Sequence, residues 1–182
     1  AGTIAAFQPQ DMAMAQYREH LVLRYRGFTT AQFMNQLFGN LDDLGKGRQM
    51  PVHYGSRELN IMTISSPLAT QIPQASGYAY GQKLKGKDAC TLCYFGEGAA
   101  SEGDFHAGLN MAAVLNCPVV FVVRNNGYAI STSCAEQFAT DGIAPRGTGY
   151  GIKTIRVDGN DILAVYAASV EARRIATQEQ RP

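Results

Sequence analysis

The sequence is 182 residues long, 46% hydrophobic, with a formal net charge of +1, which is the size and balance of one globular domain. No apolar run is long enough to span a membrane and no basic stripe appears, so neither a membrane nor a nucleic acid is expected as a partner. The chain begins at Ala1 without an initiator Met, signal peptide or Arg-rich transit segment, and is expected to be a processed chain or a fragment, soluble and folded as a single domain over residues 1–182.

Residues 10–26 carry a helical period in which Met14, Leu21 and Tyr25 share a face, with Tyr17-Arg18-Glu19 mid-helix as a solvated charge pair beside a packed aromatic. A second helix is predicted over residues 30–38, with Gly39 as its stop. Residues 41–55 are polar and glycine-rich around His53. Lys46, Arg48 and His53 there suit either a phosphate or substrate contact or a plain surface loop, and the spacing is not that of a Walker loop. A short strand over 61–64 leads into Ser65-Ser66-Pro67-Leu68-Ala69-Thr70-Gln71. A helix follows in which the small residues Ala75, Gly77, Ala79 and Gly81 allow close packing against another backbone. The Ser65 and Thr70 hydroxyls, the Gln71 amide and backbone carbonyls are oxygen ligands for a monovalent cation; capping of the helix by the hydroxyls is the alternative.

Residues 89–95 are a short apolar run bounded by glycines, hence a buried strand. Ser101 and Asp104 have capping-box spacing, and Phe105, Leu109, Ala112, Ala113 and Leu115 continue a helix to Asn116. Pro118 stops it. The β-branched run 119–123 predicts a strand buried on both faces of a parallel sheet. Residues 131–151 show no period, 152–157 read as another strand, 158–160 as a turn and 161–178 as a helix with Arg173 and Arg174 on its solvated face. Of Cys90, Cys93, Cys117 and Cys134, the first two stand three apart in one strand and point to opposite faces, which favours buried free thiols in a reducing compartment over a metal or redox pair.

A strand-helix-strand unit with parallel strands crosses over right-handed, so both strand exits lie on one sheet edge, where ligands of α/β sheets bind. The first exit carries Gly96-Glu97-Gly98 and the second Arg124-Asn125-Asn126-Gly127-Tyr128. Neighbouring strands stand about 5 Å apart, so a carboxylate and an amide converge as hard oxygen ligands suited to Mg²⁺, which usually completes its octahedron with phosphate oxygens and water. The following helix offers its N-terminal amides to an anion. These features predict a site for a metal-bound diphosphate.

The pairing of G-(D/E)-G with N-N resembles the thiamine diphosphate-binding signature. The YRE triplet, GKGRQMPVHYG, ISSPLATQIPQA, YFGEGAASEGD, RNNGYAIST, DGIAPRGTGYGI and RVDGNDILAVY together resemble the α subunits of the thiamine-dependent 2-oxo acid dehydrogenases over nearly the whole chain, the branched-chain branch most closely. Glu97, where a pyruvate-type subunit would carry Asp, favours that branch. The resemblance implies a transketolase-like α/β fold, a parallel sheet flanked by helices. It implies that Tyr17, Arg18, Gly96, Gly98, Ala99 and Arg124 meet the diphosphate, that Ser66 and the Leu68 carbonyl meet the aminopyrimidine side, and that Glu97, Asn126 and the Tyr128 carbonyl ligate Mg²⁺. Ser65, Pro67, Thr70 and Gln71 would hold K⁺. It further implies decarboxylation of a branched-chain 2-oxo acid from valine, leucine or isoleucine catabolism, with acyl transfer to a lipoyl-bearing acyltransferase, in an α₂β₂ heterotetramer whose β subunit supplies the glutamate that activates the aminopyrimidine. The compartment would be the mitochondrial matrix in a eukaryote and the cytoplasm in a bacterium. The family's α subunit continues into a strand and a loop bearing a catalytic histidine and phosphorylated serines, whereas this sequence ends at Pro182; none of His20, His53 and His106 falls at that position. The competing expectations are a pyruvate- or acetoin-type α subunit and a truncated, non-catalytic partner-binding chain.

Overall fold

A computed structural model describes all of residues 1–182. In chain order the elements are α1 (Gly2–Ala5), β1 (Met12–Met14), α2 (His20–Tyr25), α3 (Thr30–Phe38), α4 (Gln71–Leu84), β2 (Thr91–Gly96), a 3₁₀ turn (Ala99–Ser101), α5 (Gly103–Val114), β3 (Val119–Arg124), the hairpin β4 (Tyr128–Ala129) and β5 (Thr132–Ser133), α6 (Cys134–Gln137), α7 (Ala144–Gly149) and α8 (Ile162–Gln178). Strands β1, β2 and β3 form a parallel sheet in that order, in register Met12 to Thr91 and Thr91 to Val119.

Helices cover both faces. On one side α4 and α5 bury Ile72, Ala75, Phe105 and Leu109 against Met14, Cys93 and Phe95, and Phe95 meets Phe105 edge-to-face at 5.7 Å between ring centroids, worth about 0.5–1.5 kcal/mol beyond its buried area. On the other side Ile4, Phe7 and Ala176 pack on Cys90, Leu92 and Tyr94. The Cys90 and Cys93 side chains thus enter opposite cores, as their spacing predicts, and burial pushes both thiols up, away from the reactive thiolate. All four cysteines are free. Of the small residues of α4, Ala75 and Ala79 are fully buried in this packing as expected, and on α5 it is Gly108 that lets the two helices approach closely. A Cβ there would lie 2.8 Å from Ile72 Cγ2 and 2.9 Å from the Pro73 nitrogen, while Gly77 and Gly81 face open space. Ser76 Oγ donates to the Gly108 carbonyl at 2.9 Å across this contact.

Several expectations are corrected. Residues 10–26 are not one helix: Met12, Ala13 and Met14 are all buried as strand β1, and only α2 follows, with Leu21 and Tyr25 exposed. A run that can be covered on both faces gains more from the sheet than from the helical period. The strand expected at 61–64 reduces to Ile61, which bridges Ala13 in parallel and Ser56 antiparallel. The Ser101–Asp104 capping box does not form, because Ser101 lies in the 3₁₀ turn and its hydroxyl donates to Gln137 Oε1 at 3.1 Å. Capping boxes stand instead at Thr29–Gln32 and Ser133–Glu136. Helix α3 runs over the predicted residues and ends at Gly39 with φ +58°.

Strand β2 is buried on both faces as expected, but β3 is half-buried beyond Val119. Residues 152–157 form no strand; they line, with β3 and α8, a largely apolar cleft of about 990 Å³. Arg173 is not solvated. It reaches Asp11, which is fully buried, with Nε at 2.7 Å and Nη2 at 3.3 Å. Arg174 does stay on the outer face, paired with Glu171 and Glu179. No helix is long and apolar enough to cross a membrane.

Candidate active site

Parallel strands send their exits to one edge. Residues 15–19 leave β1, 62–71 leave the Ile61 bridge beside it, Glu97-Gly98 follow β2 and residues 125–128 follow β3. The register that opposes Gly96 to Arg124 brings the last two exits together. A Cβ on Gly98 would meet Ala129 Cβ at 2.8 Å, so the residue type is fixed by contact between the two loops.

Glu97 is 2% exposed, has no ion-pair partner, and receives one long hydrogen bond, 3.4 Å from the Asn126 backbone N–H. A buried carboxylate with so little compensation is costly unless a cation completes it. Asn126 Oδ1 accepts from Tyr128 N–H at 3.0 Å and keeps a second lone pair. Asn125 is structural: its Oδ1 accepts from Gly127 N–H at 2.8 Å. No group of three or more His, Cys, Asp or Glu side chains comes together, so a metal here would take one carboxylate with amide and carbonyl oxygens. That donor set leaves positions for phosphate and water, as Mg²⁺ requires, and the residues fit the group.

A 3₁₀ turn separates Glu97-Gly98 from α5 and uses its own amides internally. The Ala100, Ser101 and Glu102 amides donate to Glu97, Gly98 and Ala99 carbonyls. Arg146, from α7, fastens this turn by donating to the Ala100 carbonyl at 2.6 Å, with its guanidinium 4.8 Å from the Phe138 ring and 5.8 Å from Phe105.

Tyr17 and Arg18 lie in the loop after β1, exposed, the guanidinium carbon 5.2 Å over the Tyr17 ring. Arg18 has no acidic partner and is available to an anion. Arg124 is held by Glu19, Nη2 at 2.8 Å and Nε at 2.9 Å from Oε1, while Glu19 Oε2 accepts from Gln16 N–H at 2.8 Å. Glu19 therefore positions Arg124, a role the sequence hides because it joins residues 105 apart. Arg18, Glu19, Arg124 and Asn125 also line the 990 Å³ cleft.

In the turn before α4, Ser65 Oγ and Thr70 Oγ1 stand 3.0 Å apart and Thr70 Oγ1 donates to the Pro67 carbonyl at 3.1 Å. Neither hydroxyl caps α4, so the capping alternative is not what forms. Gln71 is buried and its Nε2 donates to the Tyr94 carbonyl at 3.0 Å, leaving its Oε1 as an acceptor. Of the expected cation set, the Ser65 hydroxyl and the Pro67 carbonyl thus stand within hydrogen-bond spacing of Thr70 Oγ1. Leu68 is half-exposed, and the Ser66 hydroxyl lies 2.6 Å from His53 Nε2.

A site outside the carboxyl ends of parallel strands, with helices on both faces, defines an α/β ligand-binding domain. The chain belongs to the dehydrogenase E1 component family, whose model matches residues 1–182. It is 61% identical over 178 residues to 2-oxoisovalerate dehydrogenase subunit alpha 1, mitochondrial, of Arabidopsis thaliana, covering 98% of this chain and 38% of that protein. It is 60% identical over 181 residues to the human 2-oxoisovalerate dehydrogenase subunit alpha, mitochondrial, covering 100% and 41%. The chain thus spans about two fifths of these relatives. Among solved structures it superposes on a putative thiamin diphosphate-dependent enzyme from Mycobacterium smegmatis with TM-score 0.62 at 18% identity, over 95% of this chain and 28% of that one, a likeness of fold.

Proposed function

We propose that this chain is the diphosphate- and metal-binding part of the α subunit of a branched-chain 2-oxo acid dehydrogenase. The observation that carries the reading is Glu97: a nearly buried carboxylate without a cation, facing Asn126 across two parallel strand exits, in a chain about 60% identical to 2-oxoisovalerate dehydrogenase α subunits. Glu97, Asn126 and the Tyr128 carbonyl would ligate Mg²⁺. Tyr17, Arg18, Gly96, Gly98, Ala99 and Arg124 would line the diphosphate, with Ser66 and the Leu68 carbonyl on the aminopyrimidine side. Ser65, Pro67, Thr70 and Gln71 would hold K⁺ and keep that turn in shape. Thiamine diphosphate, when bound, supplies the carbanion chemistry that decarboxylates a 2-oxo acid. The chain's own groups bind, orient and neutralise; no general acid or base among them is assigned to the reacting atoms. The partners would be a β subunit in an α₂β₂ assembly and a lipoyl-bearing acyltransferase, in the mitochondrial matrix if the source is a eukaryote, as the names of the relatives suggest.

The test is decarboxylation of 3-methyl-2-oxobutanoate with an artificial electron acceptor, by residues 1–182 alone and by the full-length α subunit assembled with β. Turnover is expected only in the assembly, and faster than with pyruvate. Turnover by the lone chain, or a preference for pyruvate, would overturn the reading. A second expectation concerns the cation. Thr70→Ala in the assembled protein should raise the K⁺ concentration needed for cofactor binding, and binding that is indifferent to replacing K⁺ by a large organic cation would refute the K⁺ site.

A further inference from the structure

The loop over residues 50–54 is built at some cost. Gln36, on α3 and 5% exposed, clamps it twice: Nε2 donates to the Met50 carbonyl at 2.7 Å and Oε1 accepts from Val52 N–H at 3.0 Å. Between those contacts Val52 sits at φ +68°, a conformation that a β-branched residue rarely adopts and that persists only where its surroundings impose it. Tyr54, on the far side, is buried edge-to-face against Phe33, with ring centroids 4.8 Å apart. An ordinary surface loop needs none of this.

What the loop holds in place is the His53 ring. Nδ1 lies 2.9 Å from the Pro51 carbonyl and 3.2 Å from the Met50 carbonyl, and Nε2 lies 2.6 Å from Ser66 Oγ. Carbonyl oxygens only accept, so Nδ1 carries the proton. In the neutral ring Nε2 is then a bare acceptor, and the Ser66 hydroxyl must donate to it. Its proton committed, Ser66 can offer a ligand only lone pairs. Ala69, three residues further on, is also at positive φ, +67°, so both ends of the contact rest on constrained backbone.

We infer that His53 is a positioning residue: it fixes the Ser66 hydroxyl as a hydrogen-bond acceptor, selecting a donor on the ligand that Ser66 meets. This rests on the reading above in which Ser66 faces the aminopyrimidine, whose exocyclic amino group is such a donor. His53 touches the Ser66 hydroxyl and backbone carbonyls, and acts through the former.

The experiment uses the full-length α subunit assembled with β, and measures dissociation constants for Mg²⁺-thiamine diphosphate, Mg²⁺-oxythiamine diphosphate (oxygen in place of the amino group) and Mg²⁺-pyrophosphate. One hydrogen bond of ordinary strength corresponds to roughly 3- to 10-fold. His53→Phe should lower the preference for the amino form over the oxy form by about that factor, as should Ser66→Ala, while pyrophosphate affinity stays unchanged. His53→Gln, whose amide oxygen can accept from Ser66, should recover most of the preference. If Ser66→Ala loses the preference and His53→Phe keeps it, the positioning role is refuted and the cofactor reading stands. If Ser66→Ala also keeps it, the placement of Ser66 fails and the inference fails with it. A parallel loss of pyrophosphate binding in His53→Phe and His53→Gln would show a merely structural loop and overturn the inference.

Discussion

Glu97→Gln in the assembled full-length protein is expected to weaken Mg²⁺-thiamine diphosphate binding by about 10- to 100-fold, the worth of one charge-assisted contact. The substitution keeps the size and shape of the side chain and removes only its charge, so packing beneath the sheet edge is undisturbed. The unliganded protein should meanwhile be as stable as the parent or more so, because a carboxylate 2% exposed, with one hydrogen bond at 3.4 Å, is being neutralised. These two shifts in opposite senses separate a ligand from a structural residue. Calorimetric titration gives the first and denaturant unfolding without cofactor gives the second. Affinity within threefold of the parent would remove Glu97 from the metal site.

Arg173→Met is expected to cost about 3–5 kcal/mol of unfolding free energy, a large share of what a domain of this size has. Asp11 is fully buried and its carboxylate also accepts from Gln8 N–H at 2.7 Å and Cys90 N–H at 3.0 Å. It therefore joins the turn before β1, the entry to β2 and helix α8. Removing the guanidinium leaves the charge buried with two amides, and the nearest remaining cation, Arg26, donates to the Asp11 backbone carbonyl at 3.0 Å and not to its carboxylate. Pairing Arg173→Met with Asp11→Asn should recover part of the loss, since the uncompensated charge is then gone. Urea unfolding of the parent and the two variants decides it. A single-variant loss below about 1 kcal/mol would mean that Arg26 or entering water compensates the Asp11 carboxylate and that the Arg173 pair is worth no more than a surface one.

Periodicity located what packs locally. Helix α3 and its Gly39 cap, the β2–α5–β3 unit and the opposite-facing cysteines follow from patterns a few residues long. It failed where the partner is distant. The run Met12–Met14 has the same apolar letters in a helix or a strand, and only pairing with Thr91–Cys93 decides between them. Arg173 looks like its neighbour Arg174 until Asp11, 162 positions away, is brought beneath it. At the site, Glu97 and Asn126 were legible because a single crossover places both on one edge. The Glu19–Arg124 pair and the Gln36 clamp on the His53 loop were not, since each joins elements that no short spacing connects.

Strand β3 carries a hazard of its own before the chain has folded. Val119–Val123 is an uncharged, β-branched and aromatic run, the composition that templates intermolecular cross-β stacking when exposed. Pro118 precedes it and Arg124 follows it, a proline and a charge in the flanking positions where gatekeepers interrupt such stacking. Arg124 thus has a second use: the guanidinium that Glu19 holds at the sheet edge in the native state would repel its own copies in a chain not yet folded.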